Sequence, residues 1–495
     1  MKTGFVYLAG AGPGDPELVT LKLMRVMAKA DCVVYDYLAN PSILEEFDCE
    51  KIYAGKQGSF HAISQDDINS LIIEKAKAGK TVVRLKGGDP FIFGRGGEEA
   101  EELALAGIPF AVIPGISSFY SVPAYAGIPV THRDFANSVE VITGHRKNGL
   151  GEEEIRFPEY DPEKTCVFLM GIQNISHIAD SLMNIKKFPA DTLCAVISWG
   201  TRPAQKTVAG ALSGIALSVE KSGIKPPGVI VVGGVVSLRE KLSWFDSQPL
   251  FGKKVVVTRS RTQASAMSAK LTRLGAQVME FPTIEIKKTD TTPILKAMEK
   301  LDAYDWLAFT SQNAVSIFFD NLFASGRDVR SLGKIKIAVT GRATAESLFG
   351  YGLRPDIVPQ KFVAESLLES MLLLVKSGER VLFPCAKDAG TVLSDGLKNA
   401  GVETDRIHVY SSDLPGSIDS GKLEFVKSAD CVTFASSLTA RNFFSIVPDI
   451  NGVCASIGPI TTETLAQLGH TPAIEADPFT IDGLVEKIVE YYRNR

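Results

Sequence analysis

The sequence lacks the features of several protein classes. No uninterrupted apolar run approaches the roughly 18 residues that a membrane-spanning helix needs, so no membrane span is expected. No CxxC motif is present, which argues against a zinc ribbon or a thioredoxin-like redox site. The six histidines form no HExxH or HxxxH pair, so no metal site is predicted.

Cysteine is scarce and dispersed. An odd number of scattered thiols fits a reducing cytosol better than a disulfide framework, and most of the thiols are expected in the core. We therefore predict a cytoplasmic protein. The seven positions are Cys32, Cys49, Cys166, Cys194, Cys385, Cys431 and Cys454.

An excess of basic charge is also missing. The formal net charge of −4 gives no general attraction to nucleic acid or to an anionic membrane, so an anionic substrate would need a local basic cluster. The 495 residues, 45% of them hydrophobic and 22% charged, are typical of a globular enzyme rather than a disordered chain. That length predicts two or more domains.

The first half alternates short apolar runs with helical spacing, which predicts an α/β fold with parallel pairing at first. The first run, at 5–9, leads into a glycine turn and so indicates a buried strand rather than a signal peptide. Three later strands suggest a second lobe. The predicted strands are 5–9, 32–35, 81–85, 110–113, 165–170, 193–198 and 228–236, and the predicted helices are 17–29, 65–78 and 98–106.

A polar stretch at 246–252, which contains a proline and a glycine, predicts a linker before a new strand at 254–258. Beyond it, a pattern of strand, small hydroxyl-bearing loop and helix recurs, over 309–319, 338–352, 434–444 and 456–469. Each Ser or Thr in these loops could simply cap a helix. Their matched positions favour two similar α/β lobes with a binding cleft at the carboxyl ends of the strands.

Glycine-rich turns mark the first half. The turn at 10–15 has Asp15 where a dinucleotide fingerprint needs its third glycine, so a pyrophosphate site is not predicted. The acidic group would instead face a cationic or neutral group. The turn at 86–90 has Gly87 and Gly88, which permit close backbone approach to a flat ligand, and Asp89, which could accept hydrogen bonds from a ribose.

These turns and their spacing carry a family resemblance over residues 1–245. The run Arg84-Leu85-Lys86-Gly87-Gly88-Asp89-Pro90-Phe91-Ile92-Phe93-Gly94-Arg95-Gly96-Gly97-Glu98-Glu99, with Tyr35-Asp36, Pro114-Gly115-Ile116 and Thr131-His132-Arg133-Asp134, resembles the uroporphyrinogen-III C-methyltransferases, members of the tetrapyrrole methylase family. The resemblance implies two α/β lobes around S-adenosylmethionine, and transfer of two methyl groups to uroporphyrinogen III to give precorrin-2. It also implies a homodimer through this domain.

The resemblance also implies roles for individual residues. Asp36 and Lys56 match the proton acceptor and the proton donor, while Arg95, Glu98 and Arg133 match positions that orient or deprotonate substrate. Arginine is a poor base, so we interpret Arg95 and Arg133 as clamps for substrate carboxylates, with His145 as a further substrate contact. The implied cofactor-binding residues are Pro13, Gly87, Gly88, Asp89, Ile92, Ser117, Ser118, Met170 and Gly200.

Several of these residues also have structural interpretations. Asp36 could cap a loop, Lys56 could be solvated, and Glu98 could be a helix-start carboxylate favoured by the helix dipole. His145 could be a structural loop residue. The chain departs from the family at Tyr37, where many members have arginine, so that one substrate-carboxylate contact is lost or supplied elsewhere.

Residues 253–495 resemble uroporphyrinogen-III synthase through Val257-Thr258-Arg259, Phe281-Pro282, Phe309-Thr310-Ser311, Val409-Tyr410 and Ile457-Gly458-Pro459. This family cyclises hydroxymethylbilane and inverts ring D without a metal or organic cofactor. Tyr410 matches the tyrosine thought to assist departure of the hydroxyl, although it could be a strand aromatic. Ser311, Thr344, Ser437 and Thr461 would donate hydrogen bonds to substrate carboxylates.

Together the resemblances predict a two-lobed methylase domain followed by a two-lobed synthase domain of duplicated α/β units, each acting on a small molecule and neither on nucleic acid. The product of the second half is the methyl acceptor of the first half. Two alternatives stay open: a methylase for another tetrapyrrole precursor, and a tetrapyrrole-sensing regulator with a degenerate synthase half. The final pathway product, whether cobalamin or sirohaem, is not fixed by the sequence.

Overall fold

The computed structural model describes residues 3–45, 47–55, 64–144, 155–258, 261–361, 363–416, 418 and 420–494. The chain forms two compact units. One comprises Met1–Val255, Ser268–Val278 and Val485–Arg495, and the other comprises Val256–Met267 and Met279–Leu484.

The first lobe of the first unit is a fully parallel five-stranded sheet in the order β3-β2-β4-β1-β5. Its strands are β1 (Phe5–Gly10), β2 (Cys32–Tyr35), β3 (Glu50–Tyr53), β4 (Thr81–Lys86) and β5 (Phe110–Ile113). Its helices are α1 (Leu21–Met27), α2 (Pro41–Glu45), α3 (Gln65–Lys77), α4 (Gly96–Leu105) and α5 (Ser118–Tyr125).

The inner strands of this sheet are buried on both faces, which explains the continuous apolar runs of β1 and β2, whereas the edge strand β3 is partly exposed. Along β4, Val82 packs with Ile72 of α3, whereas the next residue, Val83, packs on the opposite face with Leu23 and Met27 of α1. The helices therefore form two layers around the sheet, and its carboxyl edge stays available for the loops.

The second lobe is a mixed five-stranded sheet in the order β6-β7-β10-β8-β9. The β6–β7 pair is parallel, and the other three pairs are antiparallel. Its strands are β6 (Ser138–Thr143), β7 (Lys164–Leu169), β8 (Leu193–Ser198), β9 (Lys206–Ala211) and β10 (Gly228–Val232), and its helices are α6 (Ile175–Asn184), α7 (Leu212–Ser222) and α8 (Arg239–Leu242).

Two predicted boundaries are wrong by several residues. The helix expected from residue 17 begins at Leu21, because the Thr20 side chain accepts a hydrogen bond from the Leu23 N–H at 3.1 Å and caps it there. The strand expected to reach residue 236 ends at Val232, because Gly233 has a φ of 143° and a short 3₁₀ turn follows.

The second half holds two further five-stranded sheets, in the orders β12-β11-β18-β19-β20 and β13-β17-β16-β14-β15. Their strands are β11 (Lys254–Val257), β12 (Gln277–Glu280), β13 (Glu285–Lys288), β14 (Trp306–Phe309), β15 (Lys336–Val339), β16 (Arg380–Ala386), β17 (Glu403–Asp413), β18 (Cys431–Phe434), β19 (Val453–Ser456) and β20 (Ile474–Glu475). The helices are α9 (Arg261–Arg273), α10 (Thr292–Met298), α11 (Gln312–Ala324), α12 (Arg342–Phe349), α13 (Ala364–Leu372), α14 (Val392–Asn399), α15 (Ser420–Lys427), α16 (Ser437–Ile446), α17 (Pro459–Gln467) and α18 (Ile481–Arg493).

The repeated pattern of the second half is present in the structure. Strands β14 and β15 are parallel neighbours and lead into α11 and α12, and strands β18 and β19 are parallel neighbours that lead into α16 and α17. In each sheet, both loops therefore leave from the same edge. Among the described helices, none combines the length and the apolar character needed to cross a bilayer.

Candidate active sites

The carboxyl ends of β1 and β4 carry glycine turns that touch backbone to backbone. Gly12 and Gly88 exchange N–H···O hydrogen bonds of 2.7 and 3.2 Å. A Cβ on Gly115 would lie 2.1 Å from the Gly88 oxygen and 2.7 Å from the Gly10 Cα. A side chain at position 115 would push the neighbouring backbone segments apart. The carboxyl edge of the sheet therefore exposes mainly backbone at these turns.

A cavity of about 560 Å³ opens between these turns and the loops of the second lobe, a volume in the range of small-molecule sites. It contains most of the predicted cofactor residues and two of the predicted catalytic residues. Those that line it are Pro13, Gly87, Gly88, Ile92, Ser118, Met170 and Gly200, together with Asp36 and Arg95.

The wall of this cavity has an unusual backbone. Four non-glycine residues that line it are in the left-handed region: Phe93 with φ 50°, Arg95 with φ 59°, Met170 with φ 58° and Trp199 with φ 50°. Each such residue costs on the order of 1 kcal/mol or more, so the surrounding fold must hold it in place. Strained backbone of this kind clusters at binding and catalytic sites.

Two predicted cofactor residues, Asp89 and Ser117, lie beside the cavity and brace its turns. The Asp89 carboxylate accepts hydrogen bonds from the Phe91 N–H at 2.8 Å and from the Gly115 N–H at 2.9 Å. Ser117 is buried at the start of α5, where its carbonyl accepts a hydrogen bond of 2.7 Å from the Ser121 hydroxyl.

Asp36 follows β2, and its carboxylate lines the cavity. Its Oδ1 accepts hydrogen bonds from the N–H groups of Leu38 at 3.0 Å and Ala39 at 3.3 Å. Its Oδ2 lies 3.9 Å from Nη2 of the buried Arg84. Backbone donors and a cation therefore fix this carboxylate at the edge of the cavity.

The predicted substrate clamp Arg95 forms a two-pronged ion pair with Glu98, with N···O distances of 2.5 to 3.0 Å. That hydrogen bond lowers the pKa of Glu98. Both side chains are more than half exposed. Arg133 is exposed in the turn that follows α5 and is not part of the cavity lining. Lys56 and His145 lie outside the described residues.

The sequence analysis missed a buried charge network that reaches the cavity wall through Lys86 and Gln65. Glu99 is fully buried, and its Oε1 accepts from Arg84 Nε at 3.1 Å, from Lys86 Nζ at 2.9 Å and from Gln65 Nε2 at 3.1 Å. Burial, and then the neighbouring Arg84 charge, lower the pKa of Lys86. Arg84 and Lys86 are two residues apart on β4 and so share one face of a buried strand, a pattern that calls for a carboxylate partner.

Asp15, which breaks the dinucleotide fingerprint, faces a neutral group. Its carboxylate accepts a hydrogen bond of 2.8 Å from the Tyr125 hydroxyl, and its N–H donates to the Thr201 hydroxyl at 3.0 Å. Burial, strengthened by this hydrogen bond, raises the pKa of Tyr125. Asp15 thus ties the first glycine turn to the second lobe.

In the second half, the structure brings Tyr410 of β17 and Ser311 together, with their hydroxyl oxygens 2.9 Å apart. Tyr410 is 5% exposed, and burial raises its pKa. The Ser311 hydroxyl also accepts from the Ala314 N–H at 3.1 Å, so Ser311 both caps α11 and contacts the tyrosine.

Thr344 and Thr461 occupy matching places in the repeated units, whereas Ser437 lies one residue after the place that matches Ser311. Thr344 is buried within α12 and Thr461 within α17. Ser437 accepts a hydrogen bond of 2.7 Å from Thr464 of α17, while the neighbouring Ser436 caps α16. Among the described residues, no hydrogen bond links Thr344 or Thr461 to another predicted site residue.

These features define a class: an α/β chain with a ligand cavity between two lobes, followed by a duplicated α/β half whose loops carry hydroxyl groups. Residues 6–216 match the family of tetrapyrrole (corrin/porphyrin) methylases, and residues 265–486 match the uroporphyrinogen-III synthase HemD family. The chain belongs to both families and is a fusion of a tetrapyrrole methylase with a uroporphyrinogen-III synthase. Both resemblances are therefore confirmed, and the chain is a bifunctional protein of tetrapyrrole biosynthesis.

Relatives match from about half of the chain to nearly all of it. The porphyrin biosynthesis protein HemD of Ruminiclostridium josui is 38% identical over 99% of this chain and 98% of its own length. The uroporphyrinogen-III C-methyltransferase of Bacillus subtilis is 41% identical over 70% of this chain and 71% of its own length. A crystal structure of the uroporphyrin-III C-methyltransferase of Thermus thermophilus is 37% identical, covers 48% of this chain and 96% of that one, and gives a TM-score of 0.42.

Proposed function

We propose that residues 253–495 cyclise hydroxymethylbilane to uroporphyrinogen III with inversion of ring D, and that residues 1–245 transfer two methyl groups to this product to give precorrin-2. Residues 246–252 link the two domains, and the first domain forms a homodimer. The methylation half of the proposal is supported most by one observation: the predicted cofactor residues Pro13, Gly88 and Met170 line the same cavity as Asp36 and Arg95.

The cavity suits S-adenosylmethionine as methyl donor. A Cβ on Gly88 would point into open space, with its nearest neighbour, the Ser118 nitrogen, 3.9 Å away, so glycine leaves room there for a ligand against the backbone. When bound, the cofactor would supply an electrophilic methyl group to the pyrrole carbon, and the electron pair of its sulfur–methyl bond would remain on sulfur. The cofactor has no phosphate and needs no anion cradle, in agreement with Asp15 in the first turn.

The residues of the chain then position the acceptor and move its proton. Asp36, held by two backbone N–H groups, accepts the proton that the methylated macrocycle loses, and Lys56 is the proton donor. Arg95 and Arg133 bind substrate carboxylates, with His145 as a further contact. Glu98 holds the Arg95 guanidinium in place through its paired hydrogen bonds.

In the synthase half, Tyr410 assists departure of the bilane hydroxyl by donating its phenolic proton. The hydroxyl of Ser311, 2.9 Å away, orients that phenol. Ser311, Thr344, Ser437 and Thr461 donate hydrogen bonds to acetate and propionate groups, helped by N–H groups at the starts of their helices. Holding the bilane folded contributes more to this reaction than a strong acid or base would.

The test is incubation of the purified full chain with hydroxymethylbilane, with and without S-adenosylmethionine. We expect the III isomer in both reactions and precorrin-2 only with the cofactor. Formation of the I isomer alone would refute the synthase assignment. Methylation of a different tetrapyrrole in place of uroporphyrinogen III would favour the first alternative, and ligand binding without turnover would favour a regulator.

A further inference from the structure

One basic side chain of the cavity comes from the second lobe and has no assigned role. Arg202 lies in the turn after β8, next to Thr201, which has a φ of 65°. Its guanidinium carbon is 5.2 Å from the centre of the Trp199 ring, and its Nη2 donates to the Leu38 carbonyl at 3.1 Å. These contacts fix the guanidinium in the cavity wall.

The charges in the cavity distinguish Arg202 from its neighbours. Three basic side chains line the cavity: Lys86, Arg95 and Arg202. Lys86 lies 2.9 Å from a Glu99 oxygen and Arg95 lies 2.5 Å from a Glu98 oxygen. Arg202 has no carboxylate within 4.0 Å in the part of the chain that the structure describes. Burial lowers the pKa of Arg202, yet a guanidinium stays charged at neutral pH.

Among the residues with described positions, the groups that contact Arg202 are neutral. The ring of Tyr37 packs on the same Trp199 at 5.9 Å between ring centres and contributes a neutral phenol. One hydrogen bond to the Leu38 carbonyl leaves most of the five guanidinium N–H donors available. Arg202 is partly buried, and a partly desolvated cation with unused donors is stabilised when a ligand provides the counter-charge.

We propose that Arg202 binds a carboxylate of the ligand in this cavity and so is a specificity-determining residue for methyl transfer. The inference rests on the proposed function. Two ligands carry the required chemistry: the amino-acid end of the cofactor, and the acetate and propionate groups of the tetrapyrrole. Both would form a paired, charge-assisted hydrogen bond with the guanidinium.

The test compares Arg202→Gln and Arg202→Lys in the full chain with Arg156→Gln, a matched change at an exposed arginine outside the cavity. Calorimetry gives the affinities for S-adenosylhomocysteine and for 5′-methylthioadenosine, which lacks the carboxylate. Steady-state kinetics give kcat and KM for uroporphyrinogen III. We expect Arg202→Gln to weaken the binding of one carboxylate-bearing ligand by about tenfold or more. Arg202→Lys should restore part of that binding. Arg156→Gln should change neither the S-adenosylhomocysteine affinity nor the KM for uroporphyrinogen III.

The pattern of loss identifies the source of the carboxylate. A weaker S-adenosylhomocysteine affinity with unchanged 5′-methylthioadenosine affinity assigns Arg202 to the cofactor. A raised KM for uroporphyrinogen III with kcat and S-adenosylhomocysteine affinity retained assigns it to the tetrapyrrole. An equal loss of affinity for S-adenosylhomocysteine and 5′-methylthioadenosine overturns the proposal, as does unchanged binding of every ligand. Failure of the wild-type chain to bind S-adenosylhomocysteine would instead refute the proposed function.

Discussion

Lys86 and Glu99 form an ion pair of 2.9 Å that is almost completely shielded from water, with 5% and 0% of their side chains exposed. The same Glu99 oxygen also accepts from Arg84, so this carboxylate contacts two buried cations, of which only Arg84 has a second carboxylate, Asp36, within 4.0 Å among the described residues. Removal of a buried partner leaves charge without compensation and is far more costly than loss of a surface pair.

Glu99→Gln should therefore destabilise the first lobe by about 3–5 kcal/mol, because Lys86 would lose its counter-charge and Arg84 would keep only Asp36, at 3.9 Å. Calorimetric unfolding of the full chain measures this in the transition that S-adenosylhomocysteine shifts upward. Glu98→Gln, at a carboxylate 54% exposed, is the control and should cost less than about 1 kcal/mol. Equal stability of the two variants would contradict the prediction.

Gly115→Ala should destabilise the protein by about 1–3 kcal/mol or more and weaken S-adenosylhomocysteine binding, because its Cβ would collide with the backbone of Gly88 and Gly10. Gly97→Ala is the matched control. A Cβ on Gly97, in α4, meets nothing within 4 Å, so alanine there should raise the free energy of unfolding by roughly 0.5–1 kcal/mol. Denaturant unfolding measures the stability of each variant, and calorimetry measures its affinity for S-adenosylhomocysteine. If Gly115→Ala changed neither quantity, the turns would be loosely packed.

Asp89→Ala should weaken S-adenosylhomocysteine binding by about tenfold or more and spare cyclisation, because two turns of the cavity lose the carboxylate that accepts from the Phe91 and Gly115 N–H groups. Asp89→Asn keeps one acceptor oxygen and should have an intermediate effect. Separate assays of binding and of uroporphyrinogen III formation check this. A parallel loss of both activities would indicate general destabilisation.

Tyr410→Phe should slow cyclisation by about 10²-fold or more and leave methylation unchanged, because the variant lacks the hydroxyl group that we propose as the proton donor. Tyr304→Phe is the control: Tyr304 is also buried, its hydroxyl binds Asp405, and it is not a predicted site residue. The rate of uroporphyrinogen III formation from hydroxymethylbilane distinguishes the two variants. Equal slowing would assign Tyr410 a packing role only.

Thiol reactivity should follow burial. Burial raises the pKa of Cys166, Cys194 and Cys454 to about 12, so these thiols stay protonated at pH 8 and should not react with iodoacetamide. Cys49, the only one of the seven that is not buried, should be alkylated first, and faster as the pH rises toward its own raised pKa. Mass spectrometry of native and unfolded protein measures the order, and Cys49→Ser should abolish labelling of the native chain.

The sequence predicts the inner strands well because these are buried on both faces, whereas the more exposed edge strands β3, β6 and β9 were not predicted. A run such as the one over β4 places apolar residues on each side of the sheet. Such a run predicts a buried strand even when its packing partners are unknown. Boundaries are harder, since they depend on single residues. The Thr20 cap and the backbone conformation of Gly233 each shift an element by several residues.

The candidate site was predictable where backbone conformation demands particular residues, as in the glycine turns. Side chains that reach the cavity from distant positions carry no local signal. Arg202 is about 190 residues from Gly12 in the sequence, and only the packing of the two lobes brings them to one cavity. The need for an acidic partner such as Glu99 could have been predicted, because two basic residues spaced by two on a buried strand require an acidic neighbour.

The left-handed residues Phe93, Arg95, Met170 and Trp199 have a kinetic consequence. Conformations that cost free energy in the empty protein are kept by the surrounding packing, so the walls are already shaped before a ligand enters. Binding of S-adenosylhomocysteine should then require little rearrangement of the protein. In stopped-flow experiments we expect a single fast association phase, with an observed rate constant that rises linearly with ligand concentration.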